Sequence, residues 1–143
     1  MNSKLLKGVA GLCCGVWLGC ATAGARTTEP VPPRVIVEFE AAPADLLCRD
    51  LARVPAGIFP AAVTNLLGKP EWSSCKPILR ALLDVSATGI LPLFRNDRQR
   101  YSAVAERRSL YNTLVITLPG PATADAVEKF RALSGVVYAE ADA

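Results

Sequence analysis

The sequence predicts an α+β domain. Some stretches alternate apolar and polar residues, as a half-buried strand does, and others repeat apolar residues every three or four positions, as an amphipathic helix does. Gly and Pro fall between the two kinds of stretch.

Residues 34–40 place Val35, Val37 and Phe39 on one face and Arg34, Glu38 and Glu40 on the other, with Ile36 the single exception, which predicts a strand. From 43 to 54 the spacing turns helical, with Leu47, Leu51 and Val54 in line and Pro43 suited to a first turn. A second short helix over 60–67 ends at Gly68. Ile78, Leu82 and Val85 form the stripe of a core helix with Gly89 just past its end, and Ile90-Leu91-Pro92-Leu93-Phe94 is a short strand whose proline points to an edge or a bend. Residues 95–108 are the most charged stretch and are read as a solvated loop with a helical turn near 103–105, an anion-binding or docking patch being the sharper alternative.

Residues 111–118 form the clearest strand, with Leu114, Ile116 and Leu118 opposite Thr113, Val115 and Thr117. Pro119-Gly120-Pro121 stops it, Thr123 caps a helix striped by Val127, Phe130 and Leu133, and Gly135 leads into a last strand over 136–140. With the helical stretch 43–67 set aside as an insertion after the first strand, the order is strand, helix, strand, strand, helix, strand. That order predicts a ferredoxin-like βαββαβ domain, an antiparallel sheet with two helices on one face. The opposite face is left to meet water or a partner.

The chain begins with Lys4 and Lys7, followed by an uncharged run over 8–19 that is too short for a membrane span, so residues 1–25 are expected to be a signal peptide. Two cleavages fit. Ala23-Gly24-Ala25 suits an ordinary signal peptidase, whereas Val16-Trp17-Leu18-Gly19-Cys20 resembles a lipobox in which Cys20 is acylated. Residues 26–33 then form a Pro-rich tether, and 34–143 one small domain in a mature chain of fewer than 120 residues. Loss of Lys4 and Lys7 takes the formal charge from +3 to about +1, which gives no electrostatic case for nucleic acid, and membrane contact is expected only through a lipid at Cys20. Of five cysteines only Cys48 and Cys75 lie in the mature domain. In an oxidising compartment the pair is expected to form a disulfide, contributing on the order of 3 kcal/mol, with two free thiols as the alternative.

The sequence contains no histidine. Nucleophile systems that rely on an imidazole base are therefore absent, as are zinc sites with His ligands, and there is no Gly-rich phosphate loop. Carboxylate pairs such as Asp45/Asp50 or Glu140/Asp142 read as surface charges. Neither an enzyme, nor a cofactor, nor a metal site is expected.

The stretch from Asp125 to Asp142, a helix followed by Gly135-Val136 and a strand ending Tyr138-x-Glu140-x-Asp142, resembles the close of the N-terminal propeptide domain of subtilisin-like serine proteases. Ile90-Leu91-Pro92-Leu93-Phe94 and the strand over 111–118 fit bacterial members of that family, whereas 41–75 has no counterpart in it. The resemblance implies a sheet face that docks on two surface helices of the protease, with Tyr138, Glu140, Asp142 and Ala143 at the interface. Carboxylates at helix N-termini would contribute roughly 0.3–1 kcal/mol each. Family propeptides continue into a tail lying in the protease cleft. Here the sequence ends at Ala143, so docking through the sheet is implied and product-like inhibition is not. The function implied is that of a folding helper or inhibitor of a subtilisin-like protease. An exported lipoprotein with an accessory binding role, or the remnant of a severed precursor, are the alternatives.

Overall fold

A computed structural model describes residues 29–94, 108–121 and 123–142. The expected signal segment with Cys20, residues 95–107 with the helical turn expected near 103–105, Ala122 and Ala143 lie outside the described residues. Four strands, β1 (Arg34–Phe39), β2 (Gly89–Pro92), β3 (Thr113–Thr117) and β4 (Val136–Asp142), form one sheet in the order β2-β3-β1-β4. Every neighbouring pair is antiparallel.

The alternation along β1 sets which side is the core. Val35, Val37 and Phe39 are at most 1% exposed, and the register places Ile116 and Leu114 beside Val35 and Val37, with Ala139 across from Val37 on the other flank. This inner face packs under helices α1 (Ala41–Leu51) and α5 (Thr123–Arg131): α1 lies against β1 and β2, and α5 against β1 and β4. Helices α2 (Phe59–Leu67) and α3 (Lys76–Asp84) pack on each other, α3 also meeting α5, while α4 (Arg108–Tyr111) is a single turn beside β3.

The stretch expected to be an insertion belongs to the core. Leu47, Leu51, Phe59, Val63, Leu66 and Trp72 all join the same apolar cluster as the strands and α5. The sheet-covering role expected for the 78–85 helix falls in part to α1, because α1 follows β1 after a single residue and its buried side, Pro43, Ala44, Leu47 and Leu51, is carried straight onto the sheet. Helix α1 ends three residues before Val54. Pro55 disfavours helical backbone at the residue before it, and the Val54 amide instead closes a turn on the Leu51 carbonyl at 3.2 Å.

The C-terminus of α3 closes without the glycine expected at position 89. The Ala87 amide donates to the Leu82 carbonyl and the Ser86 amide to the Leu83 carbonyl, both at 2.9 Å, with Ser86 at φ 55°. These are the paired bonds of a Schellman cap, and buried Ala87 and Leu82 supply its apolar contact. Gly135, at φ 87°, lies in a separate turn beyond α5, in which the Val136 amide donates to the Leu133 carbonyl at 3.4 Å. A Cβ there would lie 3.4 Å from Pro43 Cγ and 3.7 Å from Ile78 Cδ1, ordinary contact distances, so it is the backbone angle that calls for glycine.

No disulfide joins Cys48 and Cys75, which corrects the expected bridge. Cys75 is buried among apolar side chains, whereas Cys48 sits one position beyond the core-facing Leu47 and is turned partly to the surface. What links α1 to the turn at Pro70–Cys75 is polar. The fully buried Trp72 donates its indole N–H to Asp50 at 2.9 Å, and Arg49 bonds both Asp50 and Glu71 at 2.7–2.8 Å.

Replacing Ser86 with Gly should raise unfolding stability by about 0.5–1 kcal/mol, by relieving a left-handed residue that carries a Cβ, and Ser86→Val should lower it; urea melts of the three chains measure both. The bonds from Arg49 and Trp72 hold the Asp50 carboxyl below its usual range. Its contribution is therefore fully present above about pH 4 and lost as pH falls through the lowered pKa. Asp50→Asn should cost about 1 kcal/mol at neutral pH, modest because the Arg49 side of the network is solvated, and should reduce the loss of stability below about pH 4. Thermal melts across the acid range would show the two curves converging.

Candidate functional site

The face of the sheet opposite the helices is open. Backbone alternation places Arg34, Ile36 and Glu38 of β1 on it, together with Thr113, Val115 and Thr117 of β3, Leu91 of β2, and Tyr138, Glu140 and Asp142 of β4. The register aligns them in rows. Leu91, Val115, Ile36 and Glu140 run side by side across all four strands; Thr117, Arg34 and Asp142 form the row on one side, Thr113, Glu38 and Tyr138 the row on the other.

The centre of this face is apolar. Val115 is 9% exposed and Ile36 half-buried, while Leu91 at the β2 edge is 56% exposed and Tyr138 on β4 44% exposed. Beside β2, Val31 and Pro32 of the segment leading into β1 line a groove of about 310 Å³ with Leu91, Leu93 and Val115. That segment is tied to the sheet at Pro33, whose carbonyl accepts from the Leu118 amide at 2.9 Å.

The residues singled out from the sequence on β4, Tyr138, Glu140 and Asp142, share this face, and all three are engaged within the chain. Asp142 pairs with Arg34 at 2.6 Å, across the β1–β4 register, and both side chains keep partial exposure. The Tyr138 hydroxyl donates to the Glu140 carboxylate, which raises the tyrosine pKa because the bond holds the phenolic proton and the neighbouring negative charge opposes its loss. The face carries Arg34 against Glu38, Glu140 and Asp142, so it is net acidic, with Glu140 in the central row and Glu38 in the row away from Arg34. Asp45 and Asp50 do not join it: both lie on α1, where Asp50 is engaged by Arg49 and Trp72.

Sequence reading missed the middle of the site. Ile36 and Val115 are the two apolar residues that break the polar side of their strands, and they are direct cross-strand neighbours. The signal was present as two exceptions to alternation, but only the pairing of β1 with β3 brings them together. A separate cleft of about 440 Å³ lies between the end of α3 and the start of α5, lined by Asp84, Asp125 and Lys129, with Lys129 Nζ 3.7 Å from Asp84. None of the residues expected to form a site lines it.

No protein-family model, curated protein or solved structure matches this chain. Among the described residues no cluster of three or more His, Cys, Asp or Glu side chains is placed to hold a metal, and no helix is long and apolar enough to cross a membrane.

A charge introduced in the centre of an open face should be tolerated by the fold, and the same charge on the inner face should not. Leu91→Asp is expected to change stability by no more than about 0.5 kcal/mol, whereas Leu114→Asp, on the neighbouring strand but 1% exposed, should prevent folding. Circular dichroism melts of the two variants distinguish the faces.

Proposed function

We propose that this protein is an exported, non-enzymatic binder that docks on a subtilisin-type serine protease through its open sheet face, acting as a folding helper or inhibitor, and that its fold is the ferredoxin-like βαββαβ arrangement. The strand order supports the fold: with all pairs antiparallel, β1 and β2 run parallel with β3 between them, and β3 and β4 run parallel with β1 between them. Two crossovers, each skipping one strand, are what that arrangement requires.

The observation that carries the functional reading is the open face itself, with an apolar centre at Leu91, Val115 and Ile36 and carboxylates concentrated along β4. Four strands set the outer pair about 15 Å apart, and helices are about 10 Å across, so two helices side by side would cover it. A helix-on-sheet layer is the packing by which such a face leaves water. Glu140 and Asp142 stand at the end of β4, as the resemblance to subtilase propeptides implies for carboxylates that meet helix N-termini. Their bonds to Tyr138 and Arg34 hold them in position before docking.

Replacing Glu140 and Asp142 together with Ala should weaken binding to a catalytically inactive subtilase by roughly five- to a hundredfold, or 1–3 kcal/mol, and Leu91→Asp should weaken it at least as much. Isothermal titration with the wild type and both variants, run beside thermal melts, separates docking from folding. Equal affinities with equal melts would discard the face as the docking surface. Absence of wild-type binding to any subtilase of the same organism would remove the protease as partner.

A further inference from the structure

The two edges of the sheet are unequal, and the hydrogen-bond alternation specifies what each offers. The Phe39 amide donates to Asn112 at 3.0 Å and the Glu40 amide to Gly135 at 2.8 Å, so odd-numbered residues of β1 turn their backbone groups toward β3 and even-numbered ones toward β4. Each residue of an antiparallel strand sends its N–H and C=O to the same side. Because Ile36 pairs with Glu140 and Glu38 with Tyr138, the backbones of Tyr138, Glu140 and Asp142 face β1, and those of Ala139 and Ala141 face outward. On β2 the outward positions are Ile90 and Pro92, and the proline has no N–H to offer.

Strand β4 carries little edge protection of its own beyond the irregularity at its start, where Val137 is the extra residue between the partners of Phe39 and Glu38. It is seven residues long, contains no proline or lysine, and leaves Val137 62% exposed. What closes it comes from α5. Arg131 reaches over the edge and donates from Nε to the outward Ala139 carbonyl at 3.0 Å, while Glu128 holds its Nη1 at 2.8 Å.

We propose that β4 is a self-pairing edge kept closed by Arg131: with the guanidinium withdrawn, two copies join β4 to β4 about a twofold axis through Ala139, making one continuous eight-stranded sheet. A twofold axis on an outward residue sets outward backbone against outward backbone, so the ladder can form; one centred on a residue facing β1 cannot do so. The side chains are self-complementary about that axis. Tyr138 stands opposite Glu140 of the second copy, the same two residues that already bond within the chain, and Val137 stands opposite Ala141. Like charges do not meet directly, and α5, which flanks the joint, carries Asp125 and Glu128 against Lys129 and Arg131. The inference uses the sheet edge alone and is independent of what covers the open face.

Sedimentation equilibrium of the full chain over about a hundredfold range of concentration tests it. Arg131→Ala should self-associate at least tenfold more tightly than the wild type, with dimer as the limiting species. Adding Ala139→Pro should return it to monomer by removing an outward N–H while leaving the β1 ladder intact, and Val137→Lys should do so without altering the backbone. Circular dichroism confirms that each variant is folded. A folded Arg131→Ala chain that stays monomeric at every concentration overturns the proposal, as does a dimer that survives Val137→Lys.

Discussion

Strand β1 is the constraint on which the remaining structure depends. It is paired on both flanks, with odd residues bonded to β3 and even residues to β4, and it turns Val35, Val37 and Phe39 into the core at almost no exposure. A slip of one residue would bury Arg34 and Glu38 and expose all three apolar side chains, so the register is strongly specified. The one irregularity lies at Glu38/Phe39 opposite β4, next to the point where Glu40 bonds the left-handed Gly135 and the chain turns into α1. The entry to α1 and the exit from α5 therefore meet at a single junction, with Pro43 packed against Gly135.

From that junction the helical layer follows. Helix α1 is laid on the sheet, and α2, the Pro70–Cys75 turn and α3 build outward from it, which makes the core thicker than one layer of helices on a four-stranded sheet would be. Trp72 lies within this second tier, anchored to Asp50 on α1. The arrangement explains how the domain coheres without a disulfide between Cys48 and Cys75: stability comes from apolar burial across one continuous cluster, with a polar clasp where the turn meets α1.

The open face has the opposite character. Its apolar strip is one row deep, and its charges are largely engaged by neighbours, Asp142 by Arg34 and Glu140 by Tyr138. In the docking proposed above, such a surface would present preset carboxylates beside a small apolar centre. The edges beside it are protected by different means, a proline within β2, and for β4 an irregularity at Val137 with an arginine borrowed from α5 further along.

Strands β1 and β3 and the helices of nine residues or more were legible as periodicity, since the repeat of apolar positions is set by the local backbone whatever the element packs against, whereas β2 was legible as a short apolar run. Boundaries shifted where local chemistry intervened, as with Pro55 cutting α1 short. The cap at Ser86 was not legible, because a serine in left-handed backbone is held there by the tertiary position of Ala87 and carries no sign in composition. The candidate site divides in the same way. Tyr138, Glu140 and Asp142 were singled out by the resemblance, the last strand being expected only over 136–140, and the structure extends β4 to Asp142. That Ile36 and Val115 are neighbours, that Arg34 answers Asp142, and that Arg131 closes the β4 edge all depend on residues far apart in the chain, and sheet register, a long-range property, decided them.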